Sequence, residues 1–437
     1  MRVFLPLWSA LWTFGLPLVL IYLWKRARKD PAYTARLAER FGRYPAPLRG
    51  AVWVHAVSLG ELRSAVPLIR TLLDRGEDVV TTHFTPAGRA EAARVFAADI
   101  AAGRMGVVWV PFETAWAYRG FFHAFKPAYG LVMEVEIWPR MVFAAQAAGV
   151  PLFMCNAQYH SRALKRDSAG LRLRQAVMRG FAGALVKSDL QAQRFASVGV
   201  KNITATGELR FDQPIPTQHV TAGRTARVWL GAGSRRVITI ASAIEGEDAT
   251  YIHAIHALRA HHIARAEPSP LFVYVPRRPE RFDDVFQTLC AEGFSVLRRS
   301  AVWASLNSAT WGAAPDCPDI LLGDSLGEMY AYLAMADQVI VGGGFNPKGA
   351  HNISEALVMG LPVITGPHTH TIEYPFAEAH AAGVARSVPD AVALAQVLVS
   401  AAQPEPAQIS AFVAAHSNAT RKTLEMIPRL LAAVRPS

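Results

Sequence analysis

The chain contains little cysteine, and this scarcity limits the kinds of site that it can form. Its three cysteines, Cys155, Cys290 and Cys317, include no CxxC spacing and leave one thiol over from any pairing. A disulfide framework needs an even set of cysteines, and a cysteine-based zinc site needs closely spaced ligands. The sequence therefore predicts a protein of a reducing compartment, without a disulfide scaffold or a zinc site.

Charged residues are also scarce, and acidic ones most of all. Only 18% of the 437 residues are charged, with 34 Asp and Glu against 45 Lys and Arg, so the formal net charge is +11. A positive chain favours nucleic acid, an acidic membrane surface or a phosphorylated ligand as its partner. The basic residues are scattered through apolar segments, without a zinc-finger spacing or an aromatic-rich RNA-binding signature. We therefore expect no nucleic acid partner, and a membrane or a phosphorylated ligand remains.

Polar residues are almost absent from residues 3–24, where Ser9 and Thr13 alone interrupt an apolar run. A helix of this length spans about 33 Å, the thickness of one bilayer core. The run is followed by a basic cluster that consists of Lys25, Arg26, Arg28 and Lys29. The positive-inside rule places such a cluster, and all that follows it, in the cytoplasm. We predict an uncleaved single-pass membrane anchor, with a signal peptide or a buried or interfacial helix as alternatives.

After the anchor, short apolar runs alternate with amphipathic stretches in two similar halves, which is typical of α/β domains with parallel sheets. Strands are predicted at 51–57, 78–84, 106–112, 128–134, 151–157 and 183–189 in the first half, and at 236–242, 271–277, 294–300, 319–324, 338–344 and 361–367 in the second. Residues 208–223 are rich in turn formers and predict an interdomain linker, and residues 406–433 predict a last helical stretch. Two Rossmann-like halves that face a cleft describe the GT-B architecture.

Nine segments carry a resemblance to one enzyme family, and they occur in the family's order. They are WVHAVSLGE (53–61), TTHFTPAGR (81–89), VMEVEIWP (132–139), NAQYHSR (156–162), TGELRFD (206–212), VPRRPERF (275–282), DSLGEMYAYLAMAD (324–337), GGGFNPKGAHNISEAL (342–357) and PVITGP (362–367). With these motifs the chain resembles the bacterial Kdo transferases, which move 3-deoxy-D-manno-octulosonic acid (Kdo) from CMP-Kdo to a lipid A precursor. The chain departs from the family pattern at Gln158, Glu208, Arg210 and Ala356, and in the start of its glycine-rich loop.

The resemblance implies a GT-B fold with three parts. Residues 1–30 are the membrane anchor and its basic flank, residues 31–215 an acceptor-binding Rossmann-like domain, and residues 216–437 a CMP-Kdo-binding Rossmann-like domain with the final helical segment. The implied partners are CMP-Kdo, a lipid A precursor of the lipid IVA type and inner-membrane lipids. No cofactor and no metal ion are expected, and the implied location is the cytoplasmic side of the inner membrane.

Glu61 is the expected catalytic base. Ser58 and Glu61 have the spacing of a capping box, in which Ser58 caps a helix and Glu61 returns a hydrogen bond to the Ser58 amide. Spacing alone favours this structural reading. Sugar transfer to a hydroxyl group needs a base, however, and the family's catalytic glutamate occupies this motif. We expect the helix N-terminus to lower the pKa of Glu61 and so to keep it ionised.

Two further segments have the same cap spacing in the second half, Ser325 to Glu328 and Asn352 to Glu355, and both can be helix caps. They follow predicted strands, where helix amides and a glycine-rich approach can receive a nucleotide phosphate. The resemblance implies a CMP site formed by Pro276, Arg277, Gly327, Glu328, Met329, Asn352, Ile353, Ser354 and Glu355. Arg277 would supply positive charge to the phosphate, although an arginine after a strand can equally be a solvated loop residue.

Glu134 and Glu136 end a predicted strand and should share one of its faces. No histidine or aspartate nearby supports a metal site, and the pair can simply be a hydrogen-bonded rim. The resemblance makes Glu134 an acceptor-side or transition-state residue, and it makes Arg210 the counterpart of a family lysine. The histidines His55, His83 and His351 are expected to be structural groups.

The predicted reaction is an inverting transfer in which Glu61 activates a hydroxyl group of the lipid acceptor and CMP departs. Glu134 and Arg210 complete the catalytic set. Two alternatives stay open. One is another GT-B enzyme, such as a UDP-sugar transferase or a nucleotide-sugar epimerase. The other is a membrane-tethered nucleotide-binding protein without turnover, in which Glu61 is only a cap.

Overall fold

The computed structural model describes residues 3–400 and 402–434. The chain divides into two compact units, the first made of Met1–Gln213 and His416–Ser437 and the second of Pro214–Ala415. Each unit contains one parallel sheet of seven strands with helices around it.

The strands of the first sheet are β1 (Val52–His55), β2 (Val79–His83), β3 (Met105–Trp109), β4 (Gly130–Met133), β5 (Leu152–Ala157), β6 (Gly183–Val186) and β7 (Ile203–Ala205). They lie in the order β3-β2-β1-β4-β5-β6-β7, with every pair parallel. Because all of these strands run the same way, their carboxyl ends meet at one edge of the sheet.

The strands of the second sheet are β8 (Val237–Ala243), β9 (Leu271–Pro276), β10 (Val296–Arg298), β11 (Ile320–Leu322), β12 (Gln338–Val341), β13 (Val363–Thr365) and β14 (Ala385–Ser387). Their order is β10-β11-β9-β8-β12-β13-β14, again with every pair parallel. Both sheets are wholly parallel, but their strand orders differ, because β11 lies between β10 and β9 in the second sheet whereas β3 pairs directly with β2 in the first. The predicted α/β GT-B fold class is confirmed.

The helices are α1 (Phe4–Ala27), α2 (Leu37–Arg40), α3 (Leu59–Asp74), α4 (Pro86–Val95), α5 (Ala97–Ala101), α6 (Ala115–Phe125), α7 (Pro139–Ala147), α8 (Ser161–Asp167), α9 (Leu173–Met178), α10 (Asp189–Ser197), α11 (Thr217–Trp229), α12 (Asp248–Ala264), α13 (Phe282–Ala291), α14 (Arg299–Val302), α15 (Met329–Met335), α16 (Ser354–Val358), α17 (Glu373–Ala381), α18 (Ala391–Ser400), α19 (Pro406–His416) and α20 (Ala419–Val434). Helix α11 begins inside the stretch predicted to be a linker, and the units divide just before it, between Gln213 and Pro214.

Both sheets are covered on their two faces, which explains why their strands are continuous apolar runs. In β1, Trp53 packs into one apolar cluster of the first unit, while Val52 and Val54 pack into another on the opposite face. In β8, Ile238 and Val237 divide in the same way between two clusters of the second unit. Alternate side chains of a strand point to opposite faces, so each strand contributes to two cores.

Helix α1 is long and apolar enough to cross a membrane, which by itself is a weak indication of membrane attachment. One side of it lies against the first unit, where Leu23 is buried and Trp8 Nε1 donates to Glu113 Oε2 at 2.8 Å. Arg140 also donates to the Leu5 carbonyl at 3.0 Å. The opposite side is exposed and apolar, with Phe14 84% exposed.

The end of the chain departs from the prediction in two ways. Residues 406–433 form two helices, because Asn418 adopts a positive φ of 60° between α19 and α20. Helix α20 belongs to the first unit and not to the predicted 216–437 domain, since it buries Leu424, Ile427 and Leu430 in an apolar cluster of that unit. The Asp212 carboxylate fixes its start by accepting a hydrogen bond from the Thr420 amide at 2.6 Å.

Candidate active site

Helix α3 begins directly after β1, and its first turn carries Glu61. Ser58 caps the helix, since its Oγ accepts a hydrogen bond from the Glu61 amide at 3.3 Å. The Ser58 hydroxyl in turn donates to Glu61 Oε1 at 2.9 Å, and the Val57 amide donates to Oε2 at 2.8 Å. The cap predicted at Ser58 is present, but the Glu61 carboxylate binds the Val57 amide and not the predicted Ser58 amide.

The environment of Glu61 favours its protonated form. Burial raises the pKa of Glu61 to about 7, with smaller contributions from the charges of Glu136 and Glu134, while the hydrogen bonds from Val57 and Ser58 act to lower it. The prediction that the helix N-terminus keeps this pKa low was wrong, because desolvation outweighs the bonds at the helix start. A carboxyl group with a pKa near neutrality is well suited to accept a proton in catalysis.

Glu134 follows β4 in a left-handed conformation, with a φ of 56°. The strand ends at Met133, so Glu134 and Glu136 do not share a strand face as predicted. Glu134 Oε1 accepts hydrogen bonds from Asn156 Nδ2 at 2.9 Å and from Lys187 Nζ at 3.0 Å. Its Oε2 is buried and finds no hydrogen-bond partner among residues 3–400 and 402–434.

Glu208 lies in the segment after β7 and completes a cluster that consists of Glu134, Asn156, Lys187 and Glu208. Lys187 Nζ lies 3.0 Å from Glu208 Oε2, and Asn156 Nδ2 donates to Glu208 Oε1 at 2.9 Å. Burial raises the pKa of Glu134, and the charge of Lys187 only partly opposes this. For Glu208 burial acts in the same direction, but Lys187 and Arg210 outweigh it and lower the pKa. The two carboxylates therefore share one ammonium group and have opposite pKa shifts.

Arg210 links this cluster to α3. Its Nε donates to Ser64 Oγ at 3.1 Å, and Ser64 lies one helical turn after Glu61. The Arg210 charge also lowers the pKa of Glu134. The structure thus brings the three predicted catalytic residues, Glu61, Glu134 and Arg210, to the carboxyl-terminal edge of the first sheet.

The neighbouring histidines, His55 and His83, contact hydroxyl and carbonyl oxygens within the same unit. His83 uses both ring nitrogens, in contacts with the Ala56 carbonyl at 2.9 Å and with Thr81 Oγ1 at 3.0 Å. His55 contacts Thr82 Oγ1 at 2.8 Å, and burial lowers its pKa to about 3.

Burial also raises the pKa of Glu136, which accepts a hydrogen bond from Trp138 Nε1 at 2.6 Å. In the part of the chain that the structure describes, no group of three His, Cys, Asp or Glu side chains could hold a metal ion.

The predicted CMP residues follow three strands of the second sheet. Pro276 ends β9, and the exposed Arg277 side chain lines a pocket of about 580 Å³ together with Lys348 and His351. Burial and, to a lesser extent, the Arg277 charge lower the pKa of His351 to about 4. Arg278 and Arg281 also line this pocket, together with Glu245 and Glu280, so its basic side chains outnumber its acidic ones.

The segment after β11 does not form the capping box that its spacing allows. Helix α15 begins at Met329, so Glu328 is itself the residue before the helix. The Ser325 hydroxyl donates to the Glu328 carboxylate, which also forms a two-point ion pair with Arg299, with Arg299 Nε 2.7 Å from Glu328 Oε2. Gly327 has a φ of 80° and lies in the exposed turn before Glu328.

The segment after β12 approaches the same edge. Asn352 Oδ1 accepts a hydrogen bond from the Ser354 amide at 2.9 Å, and α16 begins at Ser354 with Ile353 buried before it. Glu355 lies near Tyr330, since burial and then the Glu355 charge raise the pKa of Tyr330 to about 12. The segments after β11 and β12 are therefore neighbours in the second unit.

The glycine-rich loop is held by a residue that the sequence did not point to. Glu247 is fully buried and accepts hydrogen bonds from the amides of Gly343 at 2.8 Å, Phe345 at 2.9 Å and Ile244 at 3.2 Å. These amides are therefore engaged within the protein and not offered to a phosphate. Sequence reasoning also missed Lys187, although a polar residue directly after the apolar strand GALV could have been found by the strand-end rule.

Solved structures of related fold support the architecture. UDP-GlcNAc 2-epimerase from Neisseria meningitidis, bound to UDP-GlcNAc, is similar to this chain with a TM-score of 0.54 and 12% identity, over 87% of this chain and 100% of the epimerase. A glycosyltransferase from Rickettsia africae is similar with a TM-score of 0.54 and 11% identity, over 89% and 99% of the two chains. At such low identity these likenesses bear on the fold alone.

Comparisons of sequence identify the family, which the structural likenesses do not. Residues 35–213 match the family described as 3-deoxy-D-manno-octulosonic-acid transferase (kdotransferase). The 3-deoxy-D-manno-octulosonic acid transferase of Bordetella pertussis is 41% identical over 94% of this chain and 96% of its own length. The enzyme of the same name from Haemophilus influenzae is 28% identical over 81% and 80% of the two chains. This chain therefore belongs to the 3-deoxy-D-manno-octulosonic acid (Kdo) transferase family of glycosyltransferases.

Proposed function

We propose that the protein transfers Kdo from CMP-Kdo to a lipid A precursor of the lipid IVA type, with release of CMP and inversion at the anomeric carbon. The observation that carries this proposal is Glu61, a half-buried carboxyl group with a pKa of about 7 beside Glu134 at the edge of the first sheet. Membership of the Kdo transferase family supplies the reaction class.

In the proposed step, Glu61 takes the proton of an acceptor hydroxyl group as its oxygen bonds to the anomeric carbon of Kdo. The bond between that carbon and the CMP phosphate oxygen breaks, and its electron pair leaves with CMP. The proton ends on Glu61, whose raised pKa lets it hold the proton until product release. The scheme requires no metal ion and no cofactor.

The second unit is the proposed CMP-Kdo site. Arg277 offers the clearest donor contact, because its side chain is exposed in a pocket that also contains Lys348. We propose that these cations neutralise the nucleotide phosphate. The remaining predicted contacts are Pro276, Gly327, Glu328, Met329, Asn352, Ile353, Ser354 and Glu355. Among them Glu328 is engaged with Arg299, so its proposed role is to shape the turn at Gly327.

We propose that α1 attaches the protein to the inner membrane as a single pass, with both units in the cytoplasm. When α1 spans the bilayer, lipid replaces the contact of Trp8 with Glu113 and the contact of Leu5 with Arg140. Reporters fused to the C-terminus test this orientation. Activity of a periplasm-specific reporter there, or release of the protein by alkaline carbonate, would contradict the proposed topology.

Donor comparison tests the proposed activity against its main rival. The full chain in detergent is incubated with the lipid acceptor and with either CMP-Kdo or a UDP-sugar, and nucleotide release is followed. We expect turnover with CMP-Kdo alone, and the anomeric configuration of the transferred Kdo, read by NMR, to be opposite to that in CMP-Kdo. Turnover with the UDP-sugar would favour another GT-B transferase or an epimerase, and retention would refute the inverting step.

A further inference from the structure

Lys187 lies at the centre of the buried cluster at the carboxyl edge of the first sheet. Its side chain is 2% exposed, and its Nζ lies 3.0 Å from Glu134 Oε1 and 3.0 Å from Glu208 Oε2. A buried ammonium group is costly unless it is paired and hydrogen-bonded. The position of this charge is therefore closely fixed by the two carboxylates.

The carboxylates of Glu134 and Glu208 differ in whether both of their oxygens already have hydrogen-bond partners. Glu208 uses both oxygens, since Oε2 pairs with Lys187 while Oε1 accepts from Asn156 at 2.9 Å and from the Arg210 amide at 3.2 Å. Glu134 uses only Oε1, and its Oε2 has no hydrogen-bond partner within residues 3–400 and 402–434. A buried carboxylate oxygen without a partner calls for an explanation, and a role in binding substrate is one.

Backbone geometry points to the same carboxylate. Glu134 has a φ of 56° and Asn156 a φ of 54°, so the two residues that meet in this hydrogen bond are both in the left-handed region. Side chains other than glycine adopt this region at a cost, and such residues concentrate at functional sites. The chain thus holds Glu134 in place at the expense of local strain.

We propose that Lys187, anchored by Glu208, is a positioning residue that orients the Glu134 carboxylate so that Oε2 receives a hydroxyl group of the acceptor sugar. This inference rests on the proposed Kdo transfer and deepens it. Lys187 itself touches no reacting atom. It acts by fixing Oε1 of Glu134, so that Oε2 can accept a hydrogen bond from an acceptor hydroxyl group while Glu61 remains the base.

Three variants separate this role from simple packing. Lys187→Met removes the charge at similar size but leaves two buried carboxylates without their shared cation. The double variant Lys187→Met/Glu208→Gln removes one negative and one positive charge, so the net charge around Glu134 is unchanged. Lys201→Met is the matched control, because Lys201 is exposed on the same unit.

We expect Lys187→Met to melt below the wild type, and the double variant to recover most of that loss. In both variants kcat should fall by about 100-fold, the usual effect of a misplaced reacting group, while the KM for CMP-Kdo changes by less than about twofold. The acid limb of the kcat profile, which Glu61 sets in the wild type, should become steeper in Lys187→Met, because loss of the cation that opposes protonation of Glu134 makes this second carboxyl group titrate as well. Lys201→Met should match the wild type.

The proposal is overturned if the double variant recovers wild-type kcat together with its melting temperature, since Lys187 then serves folding alone. It is also overturned if kcat and its pH profile are unchanged in Lys187→Met. A wild-type protein that transfers no Kdo from CMP-Kdo would instead refute the proposed function, so the two failures are distinguishable.

Discussion

Replacing Glu61 with Gln separates its proposed catalytic role from its role at the helix start. In the native protein the carboxylate accepts one hydrogen bond from the Val57 amide at 2.8 Å and one from the Ser58 hydroxyl at 2.9 Å. A Gln side chain has a single acceptor oxygen, so it can keep the bond from Ser58 but leaves the Val57 amide without a partner. We expect this lost bond to cost about 1 to 3 kcal/mol of folding free energy.

The same substitution removes a charge that the fold disfavours. The pKa of Glu61 is raised from its ordinary 4.5 to about 7. This shift sets an upper value of about 3 kcal/mol on the free energy by which the ionised Glu61 destabilises the folded protein above pH 7. Because the folded pKa is the higher one, this cost is absent below about pH 4.5 and grows as the pH rises to about 7. Glu61→Gln should therefore be less stable than the wild type at pH 5, and close to it at pH 8.

Activity should respond in a different way. The wild-type kcat should rise with pH through about 7, the pKa of Glu61, as the base form becomes populated. Glu61→Gln should lower kcat by about 100-fold or more at saturating substrates, with CMP affinity kept. Glu425→Gln, an exposed change on α20, is the control. A wild-type transfer rate in Glu61→Gln, or a kcat that is flat between about pH 5.5 and 8.5, would refute the assignment of Glu61 as base.

Three further predictions concern other parts of the molecule. Ser58→Ala should cost about 1 kcal/mol by loss of the cap while most of the transfer rate remains, which denaturant unfolding and a rate assay at pH 8 can check. Arg277→Ala should weaken CMP binding by about 1 to 3 kcal/mol in titration calorimetry, and an unchanged affinity beside the exposed control Arg224→Ala would remove Arg277 from the site. Glu247→Gln should destabilise the protein by about 2 kcal/mol or more in urea, because one oxygen cannot serve the three loop amides, and equal stability of this variant and of Glu245→Gln would contradict that account.

The fold was largely predictable because its signal lies in continuous apolar runs. All twelve predicted strands are present, each within one or two residues of its expected start. The two missed strands, β7 (Ile203–Ala205) and β14 (Ala385–Ser387), are three-residue edge strands with one neighbour each. Such strands are too short and too exposed to produce an apolar run.

The site was less predictable, because its chemistry depends on contacts between distant residues. The position of Glu61 followed from the motif, but its pKa did not, since burial beside Glu136 and Glu134 is a tertiary effect. Lys187 and Glu208 form an ion pair although they lie 21 residues apart in the sequence. No local sequence spacing predicts such a pair. Helix α20 was assigned to the wrong unit for the same reason. Its amphipathic pattern shows that one face is buried, but it does not show which of the two cores that face packs against.

Mass spectrometry of the lipid product tests the central claim most directly. The full chain is incubated with CMP-Kdo and a tetraacylated lipid A precursor, and the lipid fraction is compared with a reaction that lacks the protein. The proposed function predicts a lipid heavier by one or more Kdo residues, formed together with free CMP. An unmodified lipid after CMP has been released, or no change in either substrate, would contradict it.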